Sequence, residues 1–142
     1  VDPKFHRFFE FKDVTLFKPN LVETQNALGF TLDSEDRVNN AGKILLEKLE
    51  CEHVLITRGK EGMSLFSRDG STGRVTTKAQ KIADVSGAGD TVIGTLTMIL
   101  AAGGDVREAA GIANHAAGVV VGEVGIVAIE PEKIVESFDN DH

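Results

Sequence analysis

The apolar positions of this chain fall into short blocks whose period changes along the sequence. Val14-Thr15-Leu16-Phe17 is a β-branched and aromatic run stopped by Pro19, which predicts a strand. Asn20 then opens a short helix through about Leu28, ended by Gly29. Over residues 35–50, Val38, Ala41, Ile44, Leu45 and Leu49 recur at three- and four-residue spacing behind the caps Asp33, Ser34 or Asp36, the pattern of a longer helix. His53 to Thr57 reads as a buried strand. Met63–Ser67 and Arg74–Lys78 alternate apolar and polar around the turn-rich residues 68–73, which predicts a β-hairpin. A strongly apolar helix follows from Gly87 to about Ala102, closed by Gly103-Gly104. Asp105, with Glu108 three positions on, opens the next helix to about Val121. Gly122 and Gly125 mark a loop, and Pro131 opens a last short helix through Phe138. At the other end, Phe5, Phe8, Phe9 and Phe11 predict an aromatic-anchored turn or short helix. Val1-Asp2 reads as the tail of a strand broken by Pro3, so a piece of a longer protein is the expectation.

Strand, helix, helix, strand, hairpin and helices make an α/β layout with a partly parallel sheet, expected here as one structural unit. Composition adds exclusions. With 142 residues, 42% hydrophobic and 26% charged, the chain suits a soluble globular domain. A net charge of −7 and a pI near 5.0, with Lys and Arg scattered, argue against a nucleic-acid partner. The apolar runs are too short and Gly-rich to span a bilayer. Cys51 is the single cysteine, so no internal disulfide forms; it is expected to pack at a helix–strand junction in a reduced, cytoplasmic protein.

The sharpest chemical signal is Asp84-Val85-Ser86-Gly87-Ala88-Gly89-Asp90. Gly87-Ala88-Gly89 lies between an extended segment and a long helix, where small residues let the backbone approach a ligand. The first N–H groups of a helix have no partner within it, and the dipole adds positive character, so such a mouth suits a phosphate. Asp90, in the first turn, sets a carboxylate close to that phosphate, where it can orient a hydroxyl and take its proton. Gly-x-Gly at a helix start also serves tight packing alone, and a first-turn Asp favours the dipole in any case.

The whole string resembles the D-T-x-G-A-G-D signature of the ribokinase, or phosphofructokinase-B, family of carbohydrate kinases, with Val85 in place of the usual Thr. The resemblance implies a ribokinase-like three-layer α/β/α fold, of which this chain is the C-terminal half, without the part that carries the Gly-Gly substrate motif and the lid. It implies that the amides of Gly87, Ala88 and Gly89 form an anion hole and that Asp90 is the catalytic base. Asn20-Leu21-Val22-Glu23 resembles the family's N-x-x-E motif, which places Asn20 near ATP and gives Glu23 a role with Mg²⁺; the same spacing is also a helix capping box. Thr57-Arg58-Gly59-Lys60-Glu61-Gly62 resembles the T-x-G-x-x-G turn along the ATP phosphates, with Thr57 and Arg58 as donors and Gly59 and Gly62 giving the tight backbone; a plain strand-to-hairpin turn would look alike. Asn114, Ala117 and Gly118 match the small-residue helix beside adenine, where helix packing is the competing reading. Asp84, Ser86 and the Gly122–Gly125 loop fall where many members hold a monovalent cation such as K⁺. His115 has no evident partner.

Within the family, Val1-Asp2-Pro3-Lys4, Thr15 to Asn20 and Ala116 to Gly122 look like the heptose-7-phosphate kinase branch, which acts in bacterial lipopolysaccharide biosynthesis. The implied reaction is ATP-dependent phosphorylation of a sugar or sugar-phosphate hydroxyl, heptose 7-phosphate at the anomeric position. The alternatives are another sugar kinase of the family and a non-catalytic nucleotide-binding module. The implied partners are ATP and a small sugar or sugar phosphate, with no nucleic acid and no membrane; a homodimer is compatible with the resemblance. A dinucleotide-binding dehydrogenase is disfavoured, because no G-x-G-x-x-G follows an early strand.

Overall fold

The computed structural model describes residues 1, 3, 5–76, 88–122 and 131–139. They divide into two compact units, Val1–Arg74 and Val75–His142, where the hydrophobic pattern alone predicts one.

The first unit holds a sheet of order β1-β2-β3-β4, with β1 at Leu16–Phe17, β2 at His53–Thr57, β3 at Met63–Ser67 and β4 at Thr72–Val75, of which the last residue alone falls outside the unit. β1 and β2 run parallel, with Leu16 opposite His53 and Phe17 opposite Val54. Two helices, α1 (Leu21–Leu28) and α2 (Glu35–Leu49), make the crossover that a parallel pair requires. Val1 lies against β1 in a parallel ladder: its N donates to Leu16 O at 2.7 Å and its carbonyl accepts from Lys18 N at 2.8 Å. No strand is assigned at Val1, and Asp2, the other residue of the expected strand tail, lies outside the described residues. β2 and β3 are antiparallel, from His53 opposite Ser67 to Thr57 opposite Met63.

Four of the five stripe residues read from the sequence of α2 are buried: Val38, Ala41, Leu45 and Leu49 pack with Phe17, Val54, Ile56 and Phe66 in one core, while Ile44 is half-buried. Phe8 closes it, edge-on to Phe17 at 5.0 Å between ring centroids. Gly42 lies where α2 crosses β3: a Cβ there would stand 2.4 Å from Phe66 ring atoms. Cys51 is fully buried between α2 and β2, as expected for a packing residue, and burial pushes its thiol pKa up.

Two expectations for the hairpin need correction. β3 is buried along its whole length instead of on alternate faces, because its polar members are small and partnered: Ser64 Oγ accepts from Arg58 and Ser67 Oγ meets His53 Nδ1 at 2.8 Å. β4 starts at Thr72, two residues before the expected Arg74. The turn closes early, with Ser67 N donating to Ser71 O at 2.9 Å, so Thr72 and Gly73 join the ladder.

The second unit holds α3 (Ala88–Ala101), α4 (Val106–Gly122) and α5 (Pro131–Asp139). α3 and α4 form a helical hairpin that buries Val92 and Leu96 with Val106, Ala109, Ala110, Ala113 and Ala116. The turn is the predicted Gly103-Gly104, with Gly104 N donating to Ile99 O at 2.9 Å. Asp105 caps α4 through its Oδ1, which accepts from Arg107 N at 2.8 Å and Glu108 N at 3.3 Å. His115, which had no evident partner in the sequence, stacks on Phe138 of α5 with centroids 3.7 Å apart. No helix among the described residues is long and apolar enough to cross a membrane.

Candidate active site

In the first unit, two of the sequence motifs come together at the C-terminal ends of the parallel strands, the usual place for ligands in open α/β sheets. β1 ends just before Pro19-Asn20, where α1 starts, and β2 ends at Thr57. Thr57 N donates to Pro19 O at 3.0 Å, and Asn20 bridges Thr57 in the parallel sense. Lys18, at the end of β1, is buried.

Asn20 and Glu23 form a reciprocal capping box: Glu23 N donates to Asn20 Oδ1 and Asn20 N donates to Glu23 Oε2, both at 2.8 Å. The box fixes the carboxylate at the head of α1 and occupies Oε2. Glu23 Oε1 takes no part in it. One carboxylate oxygen fits a Mg²⁺ ion held mainly through water and phosphates. Among the described residues, no group of three or more His, Cys, Asp or Glu side chains could cage a metal directly.

After Thr57 the backbone turns through a single 3-10 turn, Gly59–Glu61. It closes on itself, with Arg58 N donating to Gly62 O at 2.8 Å and Gly62 N to Gly59 O at 3.0 Å. Gly59 has φ +58° and Gly62 has φ +85° with ψ −136°, a combination open essentially to glycine alone.

Arg58, expected as a phosphate donor, meets two carboxylates, those of Glu35 and Glu61. Its side chain is only 6% exposed and is held from several sides. Nη1 donates to Glu35 Oε2 at 3.0 Å and Ser64 Oγ at 3.2 Å, while Nη2 meets Glu35 Oε1 at 2.8 Å and Glu61 Oε2 at 2.7 Å. Three N–H groups of these two nitrogens are engaged in hydrogen bonds, with Glu35, Ser64 and Glu61. Nε is buried without a partner. Arg74 Nη1 adds a second cation on Glu35 Oε1, at 2.8 Å.

The Arg58 guanidinium, by hydrogen bonding first, holds the Glu35 carboxyl below its ordinary value of 4.5, with the charges of Arg58 and Arg74 adding to the effect. A carboxyl lowered in the folded state stabilises the fold above its unfolded value and loses that contribution as pH falls through the folded one. The melting temperatures of the native chain and Glu35→Gln are therefore expected to differ by a constant amount near neutrality and to converge below about pH 4.5. Thermal melts between pH 7 and 3 check this; a gap that widens in acid would refute it.

In the second unit, Gly89 and Asp90 lie exposed in the first turn of α3, with Ala88 as its first residue. Asp90 is turned out of the core, at a helix mouth whose leading amides have no intrahelical acceptor. Asp84, Ser86 and Gly87 lie outside the described residues, as does the loop after Gly122. In α4, Asn114 Nδ2 donates to Thr76 O at 3.2 Å, which orients the amide. Ala117 and Gly118 are half-buried, and a Cβ on Gly118 would meet no described atom within 4 Å.

The carboxylates on Arg58 are what sequence reasoning missed. Glu61 had a weak signal, three residues from Arg58, but Glu35 is 23 positions away and reads as an ordinary first-turn acid of α2. An open cleft of about 490 Å³, lined in part by Lys43, Glu47, Ser67 and Arg68, involves none of the expected site residues.

The fold is ribokinase-like. It is similar to phosphofructokinase-2 from Escherichia coli in complex with substrates and products, with TM-score 0.87 and 19% identity over 99% of this chain and 46% of that one. It is likewise similar to Arabidopsis thaliana ribokinase complexed with ribose and ATP, with TM-score 0.80 and 19% identity over 96% of this chain and 44% of that one.

The chain belongs to the pfkB family of carbohydrate kinases, whose pattern matches residues 8–133. Among curated relatives it is 40% identical over its whole length to the bifunctional protein HldE of Geobacter metallireducens, and 43% identical over 92% of its length to that of Photorhabdus laumondii subsp. laumondii. It spans less than a third of each relative, 29% and 27%.

Proposed function

We propose that this chain supplies the nucleotide-binding and catalytic part of an ATP-dependent sugar kinase whose favoured acceptor is the anomeric hydroxyl of heptose 7-phosphate. The observation that carries the reading is Asp90, exposed in the first turn of α3 beside amides without an intrahelical acceptor. The acceptor oxygen attacks the terminal phosphorus of ATP, its proton passes to the Asp90 carboxylate, and the bond from that phosphorus to the ADP oxygen breaks. The Gly87-Ala88-Gly89 amides offset the charge on the transferring group. Glu23 would help hold a Mg²⁺ ion, which would supply neutralisation of phosphate charge. Thr57, Gly59 and Gly62 would shape the turn along the phosphates, with Asn20 beside it. Asn114, Ala117 and Gly118 would border the adenine, and Asp84 and Ser86 would serve a monovalent cation such as K⁺. Family membership and the similarity to bifunctional HldE proteins support the kinase reading, and the stretches Thr15–Asn20 and Ala116–Gly122 favour the heptose branch. A cytoplasmic enzyme, with a homodimer as one assembly, accords with it.

The test is ADP release by the full natural gene product that carries this sequence, with heptose 7-phosphate, ribose, fructose and fructose 6-phosphate as acceptors. A preference for heptose 7-phosphate of at least roughly a hundredfold in kcat/KM is expected, since the site must satisfy a specific set of polar groups. Preference for another sugar would move the protein to a different branch, and ATP binding with no acceptor turned over would make it a nucleotide-binding module.

A further inference from the structure

The Gly59–Glu61 turn joins β2 to β3. Glycines flank it, Lys60 is exposed, and its backbone bonds close only on one another. The Thr57–Met63 pair closes its base, and the side chain of Arg58 adds a hold from outside the ladder. That side chain is gripped on one side by Glu61 within the turn and on the other by Glu35 at the head of α2, next to the Ser34 cap. Glu35 meets both terminal nitrogens, Oε2 accepting from Nη1 at 3.0 Å and Oε1 lying 2.8 Å from Nη2, a charge-assisted contact.

We propose that Glu35 is a positioning residue for ATP: by clamping Arg58 it fixes the 58–62 turn in the shape that receives the phosphates, without touching the nucleotide itself. The inference rests on the kinase reading above. It assigns Arg58 a structural hold on the turn in place of direct donation to phosphate.

The test compares the full natural gene product with its Glu35→Gln and Glu61→Gln variants. Glu35→Gln should raise KM for ATP about three- to tenfold, the range for a partly exposed charge pair. The kcat and the KM for the sugar should stay within about twofold, because no group at the reacting atoms has changed. Glu61→Gln should shift KM for ATP in the same direction. Hydrogen exchange without nucleotide gives a second, independent reading: in Glu35→Gln the amides of Arg58, Glu61 and Gly62 should exchange faster, while those of Leu55 and Ile56 stay protected. An unchanged KM for ATP, a fall in kcat of the same size, or unchanged exchange at 58–62 would overturn the proposal. Should the unaltered protein turn over no sugar, the kinase reading fails, and the exchange result alone then decides whether the clamp exists.

Discussion

Replacing Asp90 by Asn should lower kcat by about 10²–10⁴-fold while leaving ATP affinity within a few-fold of the native value. The side chains match in shape, so the first turn of α3 and its amides are retained. What is lost is the basic oxygen that accepts the acceptor's proton. Some transfer persists, because charge stabilisation by the amides does not depend on Asp90. Asp90 is exposed, so the fold should not suffer, and the melting temperature should stay close to native. Initial rates and a fluorescent-nucleotide titration on the full natural gene product separate the two effects. Equal loss of rate and of ATP binding would show Asp90 to be a binding residue; no loss of rate would remove it from catalysis.

Gly42→Val should produce the largest stability loss on the surface where α2 crosses the sheet, about 1–3 kcal/mol. A Cβ at this position would stand 2.4 Å from Phe66 Cγ and Cδ2 and 2.6 Å from Cε2. The near end of the ring is involved, so a rotation of a free tip cannot relieve the clash. Phe66 is buried in the core with Leu45 and Val54, and its displacement would carry those contacts with it. The better helix propensity of Val over Gly offsets only a few tenths of a kcal/mol. Shortening the obstacle should help: Gly42→Val/Phe66→Leu should be less unstable than the sum of the two single changes. Urea unfolding of the four proteins checks this, and simple additivity would show that the clash relaxes elsewhere.

The first unit was largely legible because its signals are local. The bounds of β2 fall at His53 and Thr57 as the apolar run predicts, and α2 matches its stripe and the Ser34 cap. The start of β4 was misplaced because Ser71, Thr72 and Gly73 have turn-like side chains, while the ladder bond from Ser67 to Ser71 is a backbone property. The division into two units has no composition shift or linker to announce it. At the site, the cap at Asn20 and Glu23 and the positive-φ glycines could be read from spacing. The engagement of Arg58 could not, since a cation after a strand looks the same whether a phosphate or a distant carboxylate awaits it. Glu35 becomes its partner only through the packing of α2 over the sheet. His115 is similar: its ring finds Phe138 from a separate helix.

The most direct test of the whole account is a crystal structure of the full natural gene product with Mg²⁺ and a non-hydrolysable ATP analogue. It should show the terminal phosphate on the amides of residues 87–89, with the Asp90 carboxylate facing the acceptor side. A terminal phosphate bound elsewhere, or Asp90 directed away from it, would contradict the assignment.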